Sequence, residues 1–144
     1  MSRAGLLLAP VLWLLAAASA APQDPQLVSR VHPGLVSDTA MAIRGAASAD
    51  GRYVAFMSHG LNLVDGQVDE AEAADIFLRD RATGQTTLVS HAAGAPLTAA
   101  GATGTFSISA DGAYVVFESS GTNLVAGQVD MANRTVVYDV YALR

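Results

Sequence analysis

Residues 48–56 read Ser-Ala-Asp-Gly-Arg-Tyr-Val-Ala-Phe, and residues 109–117, 61 positions later, read Ser-Ala-Asp-Gly-Ala-Tyr-Val-Val-Phe. In both copies an Asp-Gly pair stands just before a short run of aromatic and β-branched residues. Such runs are typical of β-strands, and Asp-Gly between two strands indicates a tight turn of type I′. The stretch therefore predicts an antiparallel hairpin that occurs twice in the chain.

The similarity between the two copies extends well beyond this hairpin. A fixed offset that holds over several separate segments indicates a repeated supersecondary unit. The second copy carries three extra residues in a loop after Asp130, where the offset changes. The matching segments are 27–29 with 88–90, 62–64 with 123–125, 66–69 with 127–130 and, after the insertion, 75–77 with 139–141.

Further strands are predicted between these matches. Residues 52–58 and 113–119 follow the Asp-Gly turns, residues 75–80 form a third strand, and residues 85–90 form a fourth after a turn at Thr83-Gly84. No stretch outside the first 20 residues shows a sustained apolar period of 3.6 residues, which favours an all-β fold. Each repeat is expected to be a meander of antiparallel strands.

These segments closely resemble the WD-like repeat of TolB-type β-propellers, and the resemblance covers about residues 26–144. It implies blades of four antiparallel strands that stack around a central axis. It implies no single function, because such propellers serve as binding platforms, as periplasmic adaptor proteins and as non-catalytic lids of peptidases. The segments that carry it are 48–56, 62–64, 75–84 and 87–90.

The predicted strands amount to an incomplete propeller of about two blade equivalents. A lone strand at residues 26–30 precedes a blade at about 45–91 and a partial blade at about 106–144. Closed propellers have four to eight blades, so we expect further blades. Two explanations remain open: the chain is the front part of a truncated longer propeller, or several copies form a homo-oligomeric ring. The end at Arg144, inside a recognisable motif, favours the first.

The N-terminus has the features of a cleaved signal peptide. Arg3 is followed by an apolar run from Leu6 to Leu15 and by small residues that end at Ala20. The run is shorter than the roughly 20 residues that a membrane-spanning helix needs. We therefore predict a signal peptide at residues 1–20, a propeller portion at 21–144 with no membrane span, and a periplasmic or secreted location.

Composition and residue pairing exclude several functional classes. The net charge of −5 disfavours nucleic acid as a partner, and the absence of cysteine excludes thiolate catalysis and cysteine metal sites. Ser58 and His59 are adjacent on a predicted strand and therefore point to opposite faces, which argues against a catalytic dyad. His32, His59 and His91 lack the short spacing of a helical metal pair. We predict no catalytic residues and no cofactor-binding residues.

An acidic cluster is the one candidate for metal binding. Its carboxylates are ligands of the kind that calcium prefers, although their spacing is not that of an EF-hand. A solvated acidic loop is the simpler interpretation, because runs of charge usually lie on exposed loops. We predict structural roles for Asp50, Asp75, Arg79 and Asp80. Arg79 is expected to pair with Asp80 or with an acid of a neighbouring blade. The cluster consists of Asp65, Asp69, Glu70, Glu72 and Asp75.

The sequence thus predicts an exported, non-catalytic β-propeller scaffold that binds a protein, a ligand or a component of the cell envelope. The alternative is a propeller-type hydrolase or lyase whose site forms only on assembly, because such enzymes build their sites from several blades. No convergent acid, base and nucleophile supports that alternative.

Overall fold

The computed structural model describes residues 27–28, 42–69, 73–100, 103–129 and 139–143, the last segment by its backbone alone. These residues form antiparallel strands and no helix, so the all-β class is confirmed. The strands are β1 (Ala42–Ala47), β2 (Tyr53–Ser58), β3 (Asp75–Asp80), β4 (Gln85–Leu88), β5 (His91–Ala92), β6 (Ala95–Ala99), β7 (Thr103–Ile108), β8 (Val115–Ser119) and β9 (Asp139–Leu143).

Two meandering sheets correspond to the two repeats. The first sheet has the order β1-β2-β3-β4, and the second has the order β7-β8-β9. The predicted third strand is confirmed as β3, whereas the predicted strands at 52–58, 85–90 and 113–119 are shorter, as β2, β4 and β8. The first strands of the two sheets, β1 and β7, pair from Ala42 and Thr103 onward.

The predicted strand at 26–30 is not found in its described part. Leu27 and Val28 lie outside any β-ladder, and a strand requires a neighbouring strand with which its backbone can pair. The rest of that segment, like the predicted signal peptide, lies outside the described residues.

The two Asp-Gly turns are wider than predicted. In the first turn (48–53), the N–H of Gly51 donates to the carbonyl of Ser48, and the N–H of Ser48 donates to the carbonyl of Tyr53, both at 2.9 Å. A two-residue type I′ turn centred on Asp50-Gly51 is therefore wrong, although Gly51 does have the positive φ that the prediction required, +69°.

Side-chain hydrogen bonds explain the wider turn. The Ser48 hydroxyl donates to Asp50 Oδ1 at 2.6 Å and accepts from the N–H of Tyr53 at 3.0 Å, while Asp50 Oδ1 accepts from the N–H of Arg52 at 3.0 Å. Short polar side chains often replace backbone partners in this way. The hydroxyl of Ser48, followed by the Arg52 N–H, lowers the pKa of Asp50. The second turn (109–114) repeats the same bonds through Ser109 and Asp111.

The first sheet is apolar on both faces. Phe56 and Phe77 are paired in register and stack at 5.6 Å on one side, which we call the Phe56 face. Met57 and Ile76, the next pair, lie on the opposite side, which we call the Met57 face. Neighbouring residues of a strand alternate between faces, so this run of buried residues gives the sheet two cores.

The second sheet packs on the Met57 face of the first. Val115 and Phe117 belong to the same buried cluster as Met57 and Ile76. The offset of 61 makes Phe117 the counterpart of Phe56, so the Phe56-type face of the second sheet meets the Met57 face of the first. The two turns are also joined, because the N–H of Ala49 donates to the carbonyl of Ala110 at 2.8 Å. The repeats are therefore stacked head to tail.

A short hairpin, β5-β6, links the sheets and was not predicted. Its strand β6 pairs with the loop between β2 and β3 (59–74): the N–H of Val68 donates to the carbonyl of Leu97 at 2.8 Å, and the N–H of Ala99 donates to the carbonyl of Val68 at 2.9 Å. After β5, the N–H of Ala93 donates to the carbonyl of Asn123 in the second repeat at 2.8 Å.

Candidate functional site

A groove of about 470 Å³ lies along the outer strand of the first sheet. Strand β4 pairs with β3 on one side, and the groove runs along the residues of β4. The other walls are the 59–74 loop and strand β6. Its lining is largely apolar but includes one arginine and one aspartate. The lining residues are Leu63, Val64, Asp65, Arg79, Gly84, Gln85, Thr86, Thr87, Leu88, Pro96 and Leu97.

The 59–74 loop is held in shape by Gln67. Its side-chain amide donates to the carbonyl of Gly60 at 2.7 Å, and its Oε1 accepts from the N–H groups of Leu63 and Val64 at 3.2 and 3.3 Å. One side chain thus satisfies three backbone groups of the loop. Leu63, only 2% exposed, is packed against the Phe56 face and lines the groove. The second repeat has the same arrangement around Gln128.

Arg79 is the positively charged side chain of the groove. Its Nη1 donates to Thr86 Oγ1 at 3.0 Å across the β3-β4 pair. The predicted pairing of Arg79 with Asp80 is wrong, because adjacent residues of a strand point to opposite faces. Asp80 instead binds Arg52 through two hydrogen bonds of 2.9 and 3.2 Å, and this guanidinium holds the pKa of Asp80 below its ordinary value.

Ser58 has a structural hydrogen bond. It is 1% exposed, and its hydroxyl accepts from the N–H of Gly60 at 3.1 Å. Its counterpart Ser119 accepts from the N–H of Gly121 at 3.0 Å, so the hydroxyl fixes the same strand end in both repeats. His59 is half-buried after β2, and His91 lies in β5 with Nδ1 3.0 Å from the carbonyl of Ala92. His32 lies outside the described residues.

The acidic cluster is divided by the fold. Asp65 is exposed at the groove, Asp69 is half-buried, and Asp75 is only 1% exposed at the start of β3. The interpretation of the cluster as a solvated loop is therefore wrong for Asp75, because this residue belongs to a strand between two packed faces. Glu70 and Glu72 lie outside the described residues.

Asp75 is a buried carboxyl group whose surroundings raise its pKa. Burial raises its pKa to about 7, the Ser90 hydroxyl acts in the opposite direction, and the nearby Asp69 carboxyl raises it further. Ser90 donates to Asp75 Oδ1 at 2.6 Å and accepts from the N–H of Ile76 at 3.0 Å, which joins β3 to the chain after β4. Sequence reasoning missed this environment, because Asp75 was grouped with loop acids by proximity in sequence alone.

Within the segments that the structure describes, no three His, Asp or Glu side chains converge as a metal-binding group. The same segments contain no helix with the length and apolarity needed to cross a bilayer. No protein-family model matches the chain, and the searches of curated proteins and of solved structures also gave no match.

Proposed function

We propose that this chain is part of an exported, TolB-type β-propeller scaffold that binds an extended segment of a partner protein in the groove beside β4. The observation that carries the proposal is the head-to-tail stacking of two sheets of the same repeat. Head-to-tail contacts use two different surfaces, and repetition of such a contact generates a ring when the rotation closes. Propeller blades are arranged in this way.

The shared hydrogen bonds of the two repeats support this arrangement. The hydrogen bond between the Ser and Asp side chains of the turn is present in both repeats, and so is the bond from the loop glutamine to a glycine carbonyl. The donor–acceptor distances are nearly the same in the two repeats. A unit that keeps its own internal bonds can be stacked repeatedly, with its loops presented at the same ends of each sheet. Such loops are the usual binding surfaces of a rigid scaffold.

The groove has the chemistry of a site for an extended peptide. Strand β4 lies at the edge of the first sheet, where an added strand can form main-chain hydrogen bonds. Leu97 is 41% exposed at the opposite wall and offers an apolar contact for alternate side chains of such a segment. Asp65 and Arg79 place one charge of each sign along the groove, which would fix the direction of a peptide.

The test compares two surface substitutions in the folded protein. Leu97→Asp places a charge in the groove, whereas Val129→Asp places the same charge on a residue that is 91% exposed and does not line the groove. We expect a partner from a periplasmic extract to be retained by the wild type and by Val129→Asp, and lost by Leu97→Asp. Equal retention by all three proteins, each with an unchanged circular dichroism spectrum, would show that the groove is not the binding site.

A further inference from the structure

Asp-Gly bonds lie in three described turns of the chain, at residues 50–51, 65–66 and 111–112. Such a bond is open to a spontaneous rearrangement, because glycine has no side chain to obstruct attack by its backbone nitrogen on Cγ of the aspartate. A C–N bond forms, the amide proton and the hydroxyl of the carboxyl group leave as water, and a succinimide ring results. Water then opens the ring, either at Cγ to restore aspartate or at the main-chain carbonyl carbon to give isoaspartate.

The turns at 50–51 and 111–112 hold the reacting groups by hydrogen bonds. Asp50 Oδ1 accepts from the Ser48 hydroxyl at 2.6 Å and from the N–H of Arg52 at 3.0 Å, and the attacking nitrogen of Gly51 donates to the carbonyl of Ser48 at 2.9 Å. The second turn repeats the three bonds at the same distances. Ring closure must remove the amide proton from its bond, and the bonds to the carboxylate oppose its rotation toward the nitrogen.

The same hydrogen bonds keep these two carboxyl groups ionised. The pKa of Asp50 is lowered by the Ser48 hydroxyl and then by the N–H of Arg52, and the pKa of Asp111 is lowered in the same way through Ser109. A carboxylate is a poorer electrophile than a carboxylic acid, because its charge repels the nucleophile and it has no hydroxyl to release as water. Both effects slow formation of the succinimide.

The turn at 65–66 lacks the serine of the other two. Leu63 stands two residues before Asp65, which is exposed at the groove and whose carboxyl group has no hydrogen-bond partner among the described residues. This turn is closed by the backbone, since the N–H of Gln67 donates to the carbonyl of Val64 at 3.1 Å. The carboxyl group of Asp65 is therefore able to rotate toward the nitrogen of Gly66.

We propose that the Asp65-Gly66 bond forms isoaspartate in the folded protein, whereas the hydroxyls of Ser48 and Ser109 protect the other two Asp-Gly bonds. The product has one additional carbon atom in its main chain, so it would lengthen the turn from Val64 to Gln67 at the wall of the groove. The protected bonds border the contact between the repeats, where the N–H groups and carbonyls of the two turns meet.

The test incubates the native protein below its melting temperature and follows isoaspartate at each bond by peptide mapping with electron-transfer fragmentation. Each rate is divided by the rate of the same bond in urea-unfolded protein, which removes the effect of neighbouring residues. The wild type should form isoaspartate at Asp65 at least about tenfold faster than at Asp50 or Asp111, as the loss of hydrogen bonds to a charged group implies.

The serine variants test the cause of the difference. Ser109→Ala should accelerate the reaction at Asp111 about three- to tenfold and leave the rate at Asp50 unchanged, which serves as the control within the same molecule. Ser48→Ala should do the reverse. Ser109→Thr, which keeps a hydroxyl, should retain the wild-type rate at Asp111.

Two results would overturn the proposal. The first is a native wild-type protein in which Asp65 reacts no faster than Asp50 and Asp111, a comparison that needs no variant to fold. The second is a Ser109→Ala protein, folded by circular dichroism, in which the rate at Asp111 is unchanged or rises no more than the rate at Asp50. The latter rise would indicate general loosening of the structure and not the loss of one hydroxyl.

Discussion

The first and second sheets have the same hydrogen-bonded turn and loop but differ in how their faces are covered. Met57 in the first sheet is buried against the second sheet, whereas its counterpart Glu118 in the second sheet is half-buried. Val116, the counterpart of the fully buried Ala55, is 38% exposed. Local hydrogen bonds therefore define the repeat, and the position in the stack decides which of its faces becomes a core.

The largest expected effect comes from exchanging the residues at the matched face positions. Met57→Glu would place a carboxylate between the two sheets and should lower the free energy of unfolding by about 3 kcal/mol or more. Glu118→Met should change it by less than about 1 kcal/mol, because that face remains open to solvent. Urea denaturation measures both. Similar decreases in the free energy of unfolding for the two variants would mean that the face of the second sheet that carries Glu118 is packed as tightly as the Met57 face of the first sheet.

Substitution of the turn glycines should also destabilise one repeat more than the other, by a smaller amount. Gly51 and Gly112 have φ values of +69° and +71°, so valine at either position should cost about 1–3 kcal/mol. Gly112→Val should be the more harmful substitution, because a Cβ there would collide with the ring of Tyr53 from the first turn. Thermal melting compares the variants. An equal decrease in Tm for both would contradict the contact between the turns.

The loop glutamines provide the next comparison. Gln67→Ala and Gln128→Ala each remove hydrogen bonds to three backbone groups, at an expected cost of about 1–2 kcal/mol. The Gln67 variant should lose more, since its loop also packs Leu63 into the core and pairs with β6. Chemical denaturation gives the two values. A larger loss for Gln128→Ala would show that the second loop is packed more tightly than its exposed Val125 indicates.

The smallest effect concerns the ion pair that only the first repeat contains. Arg52 holds the pKa of Asp80 below its usual 3.8, and the second repeat has Ala113 in place of Arg52. A depressed carboxyl pKa stabilises the folded state above the unfolded pKa, and this stabilisation is lost as the pH falls below about 4. The Tm difference between wild type and Arg52→Ala should therefore shrink on acidification. Arg44→Ala, at an exposed position in β1, is the control and should show a smaller difference at pH 7.

The sequence predicted the strands best where an Asp-Gly pair or a β-branched run marked them, as in β2 and β3. It did not predict β5-β6, because this hairpin is rich in alanine, contains a proline and has no β-branched or aromatic run. The hairpin is held by the 59–74 loop, which is distant in sequence. The turn type was also missed. The Asp-Gly pair alone favours a type I′ turn. The turn is widened by hydrogen bonds of the Ser48 hydroxyl, and a prediction based only on the Asp-Gly pair does not take that side chain into account.

The candidate site was less accessible to sequence reasoning than the fold. Asp75 was one of five candidate oxygen ligands in an acidic cluster that the sequence predicted to be a solvated loop. Its burial depends on the packing of β3 and is accompanied by a hydrogen bond from Ser90, 15 residues away. The groove depends on β6 and on the loop shape that Gln67 imposes. Both features arise from tertiary contacts, which the repeat pattern does not encode directly.

Head-to-tail stacking of the two repeats can be tested most directly by an engineered disulfide. The chain has no cysteine, so Ala49→Cys with Ala110→Cys would introduce its only two thiols, at positions whose backbones are hydrogen-bonded at 2.8 Å. A disulfide requires closely spaced Cα atoms. The control pair Ala49→Cys with Ala126→Cys uses an exposed residue between β8 and β9, at the end of β8 opposite to the second turn. Mass spectrometry after mild oxidation should find an intramolecular disulfide in the first pair and free thiols in the second. Free thiols in both pairs, in folded protein, would contradict the stacking.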